Sequence, residues 1–268
     1  MTNFDKIRHY YQHFDEDNRL QWDASGKLEY EMTLRILEKY MPGSGRVLDL
    51  GGATGVYSFP LAAQGYEVYL ADLSETLVNK AREKDVAHLL KGCDVVNAMD
   101  LSLYEDGFFD VVLALGPFYH LTEEEERAQA VQEIHRVLKP GGLVLAAFIP
   151  YLAGSVAIVD RYVHRPDQVD AQRLAEVFAS GRFYNLAEVG FQEGYYAESA
   201  EMEELFACHG FGKVCVRSIR GFAYEREAGI CSITDPVMKA QVIELIDATA
   251  ERKEIIETCG HAVYIGEK

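Results

Sequence analysis

The sequence predicts an α/β fold: a doubly wound, mostly parallel seven-stranded sheet, with helices at the N-terminus and a helical insertion after the fifth strand. Three observations carry that expectation. Short apolar runs alternate with helical patterns from Arg46 onward, a glycine-rich bend follows the first run, and an aspartate stands at or near the end of each of the first three. Short strands alternating with helices argue a parallel sheet covered on both faces. With 268 residues, 49% of them hydrophobic, the chain is long enough to bury one such core.

Two helices precede the sheet. They are NFDKIRHYYQHF and LEYEMTLRILEKYM, and in the second Leu28, Met32, Ile36 and Met41 recur at helical spacing until Pro42 and Gly43 stop the run. RVLDL is the first strand, VYSFPLAAQG a helix ending at Gly65, and YEVYLADLS the second strand. SETLVNKAREK is a helix with a polar face, KGCDVVNAMDL holds the third strand and its exit, and FFDVVLALG is the fourth. Thr122, three residues before Glu125, has the spacing of a capping box for the next helix, whose apolar face is marked by Val131, Ile134 and Leu138. The acidic run Glu123 to Glu126 suits a solvated first turn, where the helix dipole favours negative charge.

That helix stops at LKPGG, and LVLAAFI is the fifth strand. From about Pro150 to Tyr196 the regular alternation is lost, and a helical insertion over the sheet is expected there. Helix SAEMEELFACHG, strand GKVCVRSIRG, the long helix DPVMKAQVIELIDATAERKEI and strand HAVYIGEK complete the order. Asp235 caps the long helix, with Pro236 in its first turn.

Composition narrows the partners. A formal net charge of -17 disfavours long nucleic acids, whose phosphates such a surface repels. The five cysteines are far apart and lack a Cys-x-x-Cys pair, so they read as reduced thiols without metal-ligand spacing. The N-terminus has no apolar leader, and no run approaches the roughly 18 apolar residues of a membrane span. A cytoplasmic protein, a monomer or homodimer away from membranes and long nucleic acids, is the expectation.

The bend LDLGGATG is where chemistry is expected. Asp49, Asp72 and Asp100 fall at or near the carboxyl ends of their strands, which share one edge of a parallel sheet, and ligands bind beyond that edge. Gly51, Gly52 and Gly55 permit a tight turn and close approach of a ligand to the backbone, while the amides of the following helix favour an anionic group. Asp72 follows Gly51 by 21 residues, the interval at which an acid on the second strand accepts hydrogen bonds from ribose hydroxyls. A dinucleotide fingerprint starting at Gly51 needs glycines where Ala53 and Val56 stand; starting at Gly52 it meets Thr54 and Tyr57. A nucleotide-cofactor oxidoreductase is disfavoured on that spacing.

The set of segments resembles the class I S-adenosylmethionine-dependent methyltransferases. VLDLGGATG is similar to their first motif, LADLS to the ribose-binding second, MDL to the adenine-contacting third, and FDVVLALGPFYHL with LKPGG to the fourth strand, its exit and the next turn; GPFYHL resembles a bacterial small-molecule branch. Ala53 stands where the first motif usually has its middle glycine. The resemblance covers roughly Arg46 to Ile149 and implies the Rossmann-like methyltransferase fold with S-adenosyl-L-methionine as cofactor.

It also implies roles. Asp49 orients the turn or the cofactor's amino group; Gly51, Gly52 and Ala53, with Gly55, line the methionine portion; Asp72 and Leu73 meet the ribose; Asp100 and Leu101 flank the adenine; Leu115 and Gly116 offer backbone carbonyls. The division of labour expected is an N-terminal helical lid over 1–45, a cofactor-binding core over 46–149, an acceptor cap over 150–196, and 197–268 completing the α/β domain.

Methyl transfer from a sulfonium disperses charge in an in-line displacement, so positioning in a dry cleft matters more than acid-base chemistry. A base is needed where the acceptor must first lose a proton, and His120, beside Tyr119, is the candidate; the alternative is a histidine that bonds the backbone. Tyr11, Trp22, Phe118, Tyr119 and Tyr151 are the candidate acceptor contacts. Tyr10, Tyr11 and Trp22 suit either a lid over the methyl group or an aromatic face packed on the sheet. Arg19 suits either the cofactor's carboxylate or a surface ion pair, and His164 and His261 have no assigned part. A non-catalytic S-adenosylmethionine-binding or scaffold protein fits the same residues.

Overall fold

Four consecutive residues, Val47 to Leu50, are buried in strand β1 (Arg46–Leu50), because a strand at the centre of a sheet covered on both faces has no wet side. A computed structural model describes residues 1–188 and 190–268 and builds the sheet outward from this strand. Strands β2 (Glu67–Asp72) and β3 (Gly92–Val95) add in parallel on one side, and β4 (Phe109–Ala114) and β5 (Leu138–Pro150) on the other. Two short strands, β6 (Arg182–Tyr184) and β7 (Glu193–Ala197), form an antiparallel pair that joins the tip of β5 at Ile149 and Pro150. Strand β8 (Gly212–Ser218) runs antiparallel to β9 (Ala262–Glu267), which is itself antiparallel to β5. The mostly parallel α/β sheet is as expected, and the order β3-β2-β1-β4-β5 puts the ends of β1, β2 and β4 side by side.

Side chains alternate across the sheet, and so do its two cores. Leu48, Leu50, Val112, Val144 and Phe148 face one way; Val47, Val68, Val111, Leu113 and Leu145 face the other. Of the helices preceding β4, α1 (Phe4–His13) is almost entirely surface, with Ile7 its one buried residue, whereas α2 (Ala24–Tyr40) buries Leu28, Met32, Ile36 and Leu37. Helix α2 therefore belongs to the sheet's own packing, with α3 (Ser58–Ala63) beside it, while α4 (Glu75–Lys84) covers Leu70 through Val78 and Ala81. Helix α5 (Glu124–Val137) covers the opposite face with Ala130, Val131 and Ile134.

The insertion holds α6 (Tyr151–His164) and α7 (Ala171–Ser180), but also β6 and β7, which lie beyond a purely helical reading. Helix α8 (Ser199–Ala207) follows, then α9 (Glu227–Cys231), α10 (Pro236–Thr249) and α11 (Lys253–Ile256). Asp235 caps α10 by accepting from the Val237 and Met238 amides, as anticipated, although the helix closes at Thr249 and a separate turn completes the segment.

The start of α5 departs from the capping-box expectation. Glu123 precedes the helix with no side-chain cap, and the Thr122 amide donates instead to the Thr2 hydroxyl at 2.8 Å. Glu126 is buried rather than solvated, accepting from the Thr2 amide at 3.0 Å and from the Thr2 hydroxyl. The acidic turn thus holds down the chain just before α1, a long-range use that local spacing does not reveal.

Candidate active site

The bend after β1 is set by backbone geometry that glycine supplies. Gly51 and Gly55 have φ of +77° and +89°, and Ala53 between them adopts +49°, a left-handed conformation unusual for a residue with a Cβ. The Gly51 and Gly52 amides both donate to the Ala71 carbonyl, at 2.8 and 3.1 Å, tying the bend to β2. Asp49 lies beneath it: its carboxylate accepts from the Ser58 hydroxyl at 2.6 Å, and a Cβ at position 52 would come within 2.9 Å of it. Gly55 serves the turn from its other side, facing the Phe59 ring and not the cleft.

Asp72 closes the other half of the cradle. One carboxylate oxygen accepts from the Ala53 amide at 2.9 Å and the other from the Ser74 amide at 2.8 Å. Burial pushes both Asp49 and Asp72 up to about 6, against the opposing pull of those hydrogen bonds.

Above this cradle opens a cleft of about 960 Å³ including its mouth. Its floor is Asp49, Gly51, Gly52, Ala53, Asp72 and Leu73; Leu115, Gly116, Tyr119 and His120 from the exit of β4 form one wall. The exit of β3 contributes Asn97 and Ala98, and α1 with the segment behind it contributes Ile7, Tyr11, Glu16 and Arg19. Gly116 faces Gly51 across the cleft, where an added Cβ would make only an ordinary contact, 3.5 Å from the Gly51 carbonyl oxygen.

The structure brings most of the expected residues together and leaves six outside. Asp100 is exposed and accepts from the Ser102 amide, while Leu101 is buried in the core; β3 ends at Val95, so Asn97 and Ala98 reach the cleft first. Phe118 packs into the core at 5.4 Å from the Phe206 ring, because successive residues of that tight turn point apart and it is Tyr119 that faces the cleft. Trp22 is 54% exposed with its edge on Phe14, and Tyr151 donates to the Phe178 carbonyl at 2.8 Å within the insertion. Gly55 is the sixth, for the reason given above.

Tyr11 and His120 meet at 2.9 Å between the phenol oxygen and Nε2. The other ring nitrogen, Nδ1, faces the Glu193 backbone without closing a full hydrogen bond. Withdrawal from water pushes His120 down to about 4, so the ring is neutral at pH 7. Burial likewise holds the Tyr11 and Tyr119 phenols well above their ordinary value.

Sequence reading left Arg19 open and His261 unassigned; both join a buried charge network behind the cleft. Arg19 donates to Glu16 at 2.8 Å and to Glu29 at 3.1 Å, and Glu29 also meets His261 at 3.1 Å and Arg220 at 3.6 Å. Burial alone would raise Glu29, yet the adjoining His261, Arg19 and Arg220 hold it far below its usual range. The His261 ring stacks on Tyr119 at 5.7 Å, so the network backs the cleft wall. Glu16 is local to Arg19, but Glu29, Arg220 and His261 lie too far apart in the chain to leave a local pattern.

Among the described residues no helix is long and apolar enough to cross a membrane, and no group of three or more metal-ligating side chains occurs. A family model described as a methyltransferase domain matches residues 48–146. A glycine/sarcosine N-methyltransferase of Parasynechococcus marenigrum is 31% identical over 148 residues, 51% of this chain and 51% of that protein. The chain spans about half the length of the curated relatives of that name that it matches. Among solved structures, a protein of Pyrococcus horikoshii aligns with a TM-score of 0.64 at 21% identity, covering 97% of this chain and 98% of that one. The 1,6-didemethyltoxoflavin-N1-methyltransferase of Burkholderia thailandensis, solved with S-adenosylhomocysteine, aligns at 0.60 with 15% identity over 98% of this chain and 88% of that one. Residues 48–146 therefore match a methyltransferase domain, and the chain takes the Rossmann-like fold of the solved methyltransferase structures with which it aligns.

Proposed function

We propose that the protein transfers a methyl group from S-adenosylmethionine to a small organic acceptor by in-line displacement. The observation that carries this reading is the single cleft in which the strained turn at Gly51–Ala53, the Asp72 carboxylate and the Tyr11–His120 pair face one another. The donor set suits the cofactor: each Asp72 oxygen accepts one backbone amide and retains lone-pair capacity for ribose hydroxyls, and Gly51 and Gly116 leave the backbone bare where the methionine portion would lie. When bound, the cofactor supplies an electrophilic methyl on a sulfonium.

The remaining work falls to the chain's own residues. Asp72 and Leu73 hold the ribose, Asn97 and Ala98 flank the adenine in place of Asp100 and Leu101, and the Leu115 and Gly116 carbonyls orient the amino group. Helix α1 and residues 14–23 act as a lid that excludes water, and the insertion over 150–196 caps the acceptor. His120, neutral and held by Tyr11, takes the acceptor's proton at Nε2 where one must leave; for that step the Tyr11 hydroxyl must yield its place to the acceptor. Calorimetry with S-adenosylhomocysteine tests the reading: binding in the micromolar range is expected, whereas no heat with S-adenosylhomocysteine and clear heat with NAD overturns it. Binding without turnover across a broad acceptor panel would instead favour a non-catalytic S-adenosylmethionine-binding protein.

A further inference from the structure

A second cavity, of about 600 Å³ including its mouth, lies behind the wall formed by Tyr119 and His120. Phe191, which lines it, stands 5.2 Å from the His120 ring, and Gly260, which also lines it, precedes the histidine stacked on Tyr119. Phe191 and Gly260 thus bring the second cavity up behind the wall that bears the proposed base.

The second cavity is mostly apolar, with Ile149, Phe191, Tyr196 and Tyr224 on its sides, but it contains two guanidinium groups, Arg161 and Arg220. The Arg220 side chain is 7% exposed; it donates to Glu227 at 2.7 Å and to the Ser25 hydroxyl, while its buried Nε has no partner. Gly260 makes room for it, since a Cβ at that position would lie 2.5 Å from Arg220 Nη2 and 2.6 Å from the Tyr224 ring. Arg161 donates to Gln168 at 3.0 Å and stands 4.9 Å from the centre of the Phe183 ring, and among the described residues it makes no ion pair. A cation facing an apolar cavity without a counter-ion, beside a buried donor without an acceptor, is an incomplete arrangement.

Resting on the methyltransferase reading, we infer that this cavity holds the acid group of the acceptor, which is a small monocarboxylate with an apolar or aromatic body. A carboxylate seated on Arg161 completes its ion pair, and its second oxygen is available to Arg220 Nε, the buried nitrogen of that guanidinium without a partner. One negative charge is the right number. Arg220 already has Glu227 and, at 3.6 Å, Glu29, so the second charge of a phosphate would face those carboxylates unpaired. The aromatic sides then pack the acceptor's body and direct its other end toward Tyr119 and His120.

The test uses the full chain, with and without S-adenosylhomocysteine, titrated by ligand-observed NMR with phenylacetate, phenylacetamide and phenyl phosphate. Phenylacetate is expected to bind about tenfold more tightly than either neighbour, one unit of charge-assisted pairing. Arg161→Gln is expected to erase that preference and Arg161→Lys to keep part of it, both with wild-type melting temperature and wild-type affinity for S-adenosylhomocysteine. Equal binding of acid and amide, preference for the phosphate, no binding of phenylacetate, or an unchanged preference in Arg161→Gln overturns the inference. Failure of S-adenosylhomocysteine to bind would strike the methyltransferase reading separately, leaving a carboxylate preference at Arg161 standing on its own.

Discussion

The Ala53 amide donates to the Asp72 carboxylate at 2.9 Å, so the turn after β1 and the end of β2 hold each other in place. Asp72 thereby has two duties, fixing the turn and facing the cleft. Asp72→Asn keeps one acceptor oxygen and loses the charge, and it is expected to weaken S-adenosylhomocysteine binding by about 1 to 3 kcal/mol, the range for a lost charge-assisted bond. An unchanged dissociation constant in calorimetry would remove Asp72 from the ribose role.

The same residue sets a pH dependence. Its folded-state value, raised to about 6 by burial, lies above the 3.8 of an exposed aspartate. The folded protein then holds a proton that the unfolded chain has released, so Asp72's contribution to stability falls as pH rises from about 4 through 6. Asp72→Asn should accordingly gain stability relative to wild type between pH 4.5 and pH 7, while ligand binding to wild type tightens over the same window as the carboxylate ionises. Paired thermal melts of both proteins, with and without S-adenosylhomocysteine, check this. A wild-type-to-variant difference that does not change with pH contradicts it.

Ala53 is the one residue of the bend whose conformation opposes its chemistry, at φ +49°. Relief of left-handed strain in Ala53→Gly is worth about 1 to 2 kcal/mol, and the extra freedom of glycine in the unfolded chain costs about 0.5 to 1 kcal/mol. The variant should be as stable as wild type or up to about 1.5 kcal/mol more so by the difference of those terms, with cofactor affinity retained. Denaturant unfolding measures it; a destabilised variant would mean that the Ala53 methyl makes contacts outweighing its strain.

These properties were unevenly legible in the sequence. Four of the five strands from Arg46 to Pro150 announce themselves as largely buried apolar runs, β3 being short and only partly covered, and the glycines at 51, 52 and 55 mark the turn. Strands β6 and β7 do not: three and five residues long, they depend on β7 pairing with the tip of β5 and β6 pairing with β7, a tertiary event without local periodicity. Asp100 looked like the third carboxylate of the edge because an acid is conspicuous, whereas Asn97, which lines the cleft with Ala98, stands three residues closer to β3. Phe118 and Tyr119 are adjacent aromatics indistinguishable by type, and only the turn decides which faces the ligand.

Thr2 docks the start of the chain onto α5 through Glu126, and the Asn3 amide donates to Glu193 of β7 at 3.0 Å. Helix α1 buries only Ile7, and its further ties are the Tyr11–His120 contact and the Lys6–Glu193 ion pair. Thr2→Ala should raise amide exchange throughout residues 4–13 about tenfold or more, as expected for losing about 1.4 kcal/mol of local hydrogen bonding. Exchange in β1 and β4 should not change. Equal protection of α1 in variant and wild type would place its anchorage elsewhere.

His120 is the residue whose ionisation decides whether base chemistry is available. With the ring pushed down to about 4, it is neutral across pH 5 to 8, and the Tyr11 hydroxyl 2.9 Å from Nε2 fixes which nitrogen faces the cleft. A ring carbon proton of His120 followed by NMR should therefore titrate near 4, two and a half units below an exposed histidine at 6.5. Tyr11→Phe removes the hydrogen bond but leaves the apolar surroundings that depress the ring, so the midpoint should remain below 5.5 while the Nε2 chemical shift moves. Turnover should respond differently: with an acceptor that must lose a proton, His120→Gln is expected to lower kcat by about 100-fold or more, the contribution of a positioned base. With an acceptor that reacts as the free amine, the same variant should lose much less, because positioning alone then sets the rate. A midpoint near 6.5, or equal losses for the two acceptor types, would return His120 to the cleft wall as a packing residue.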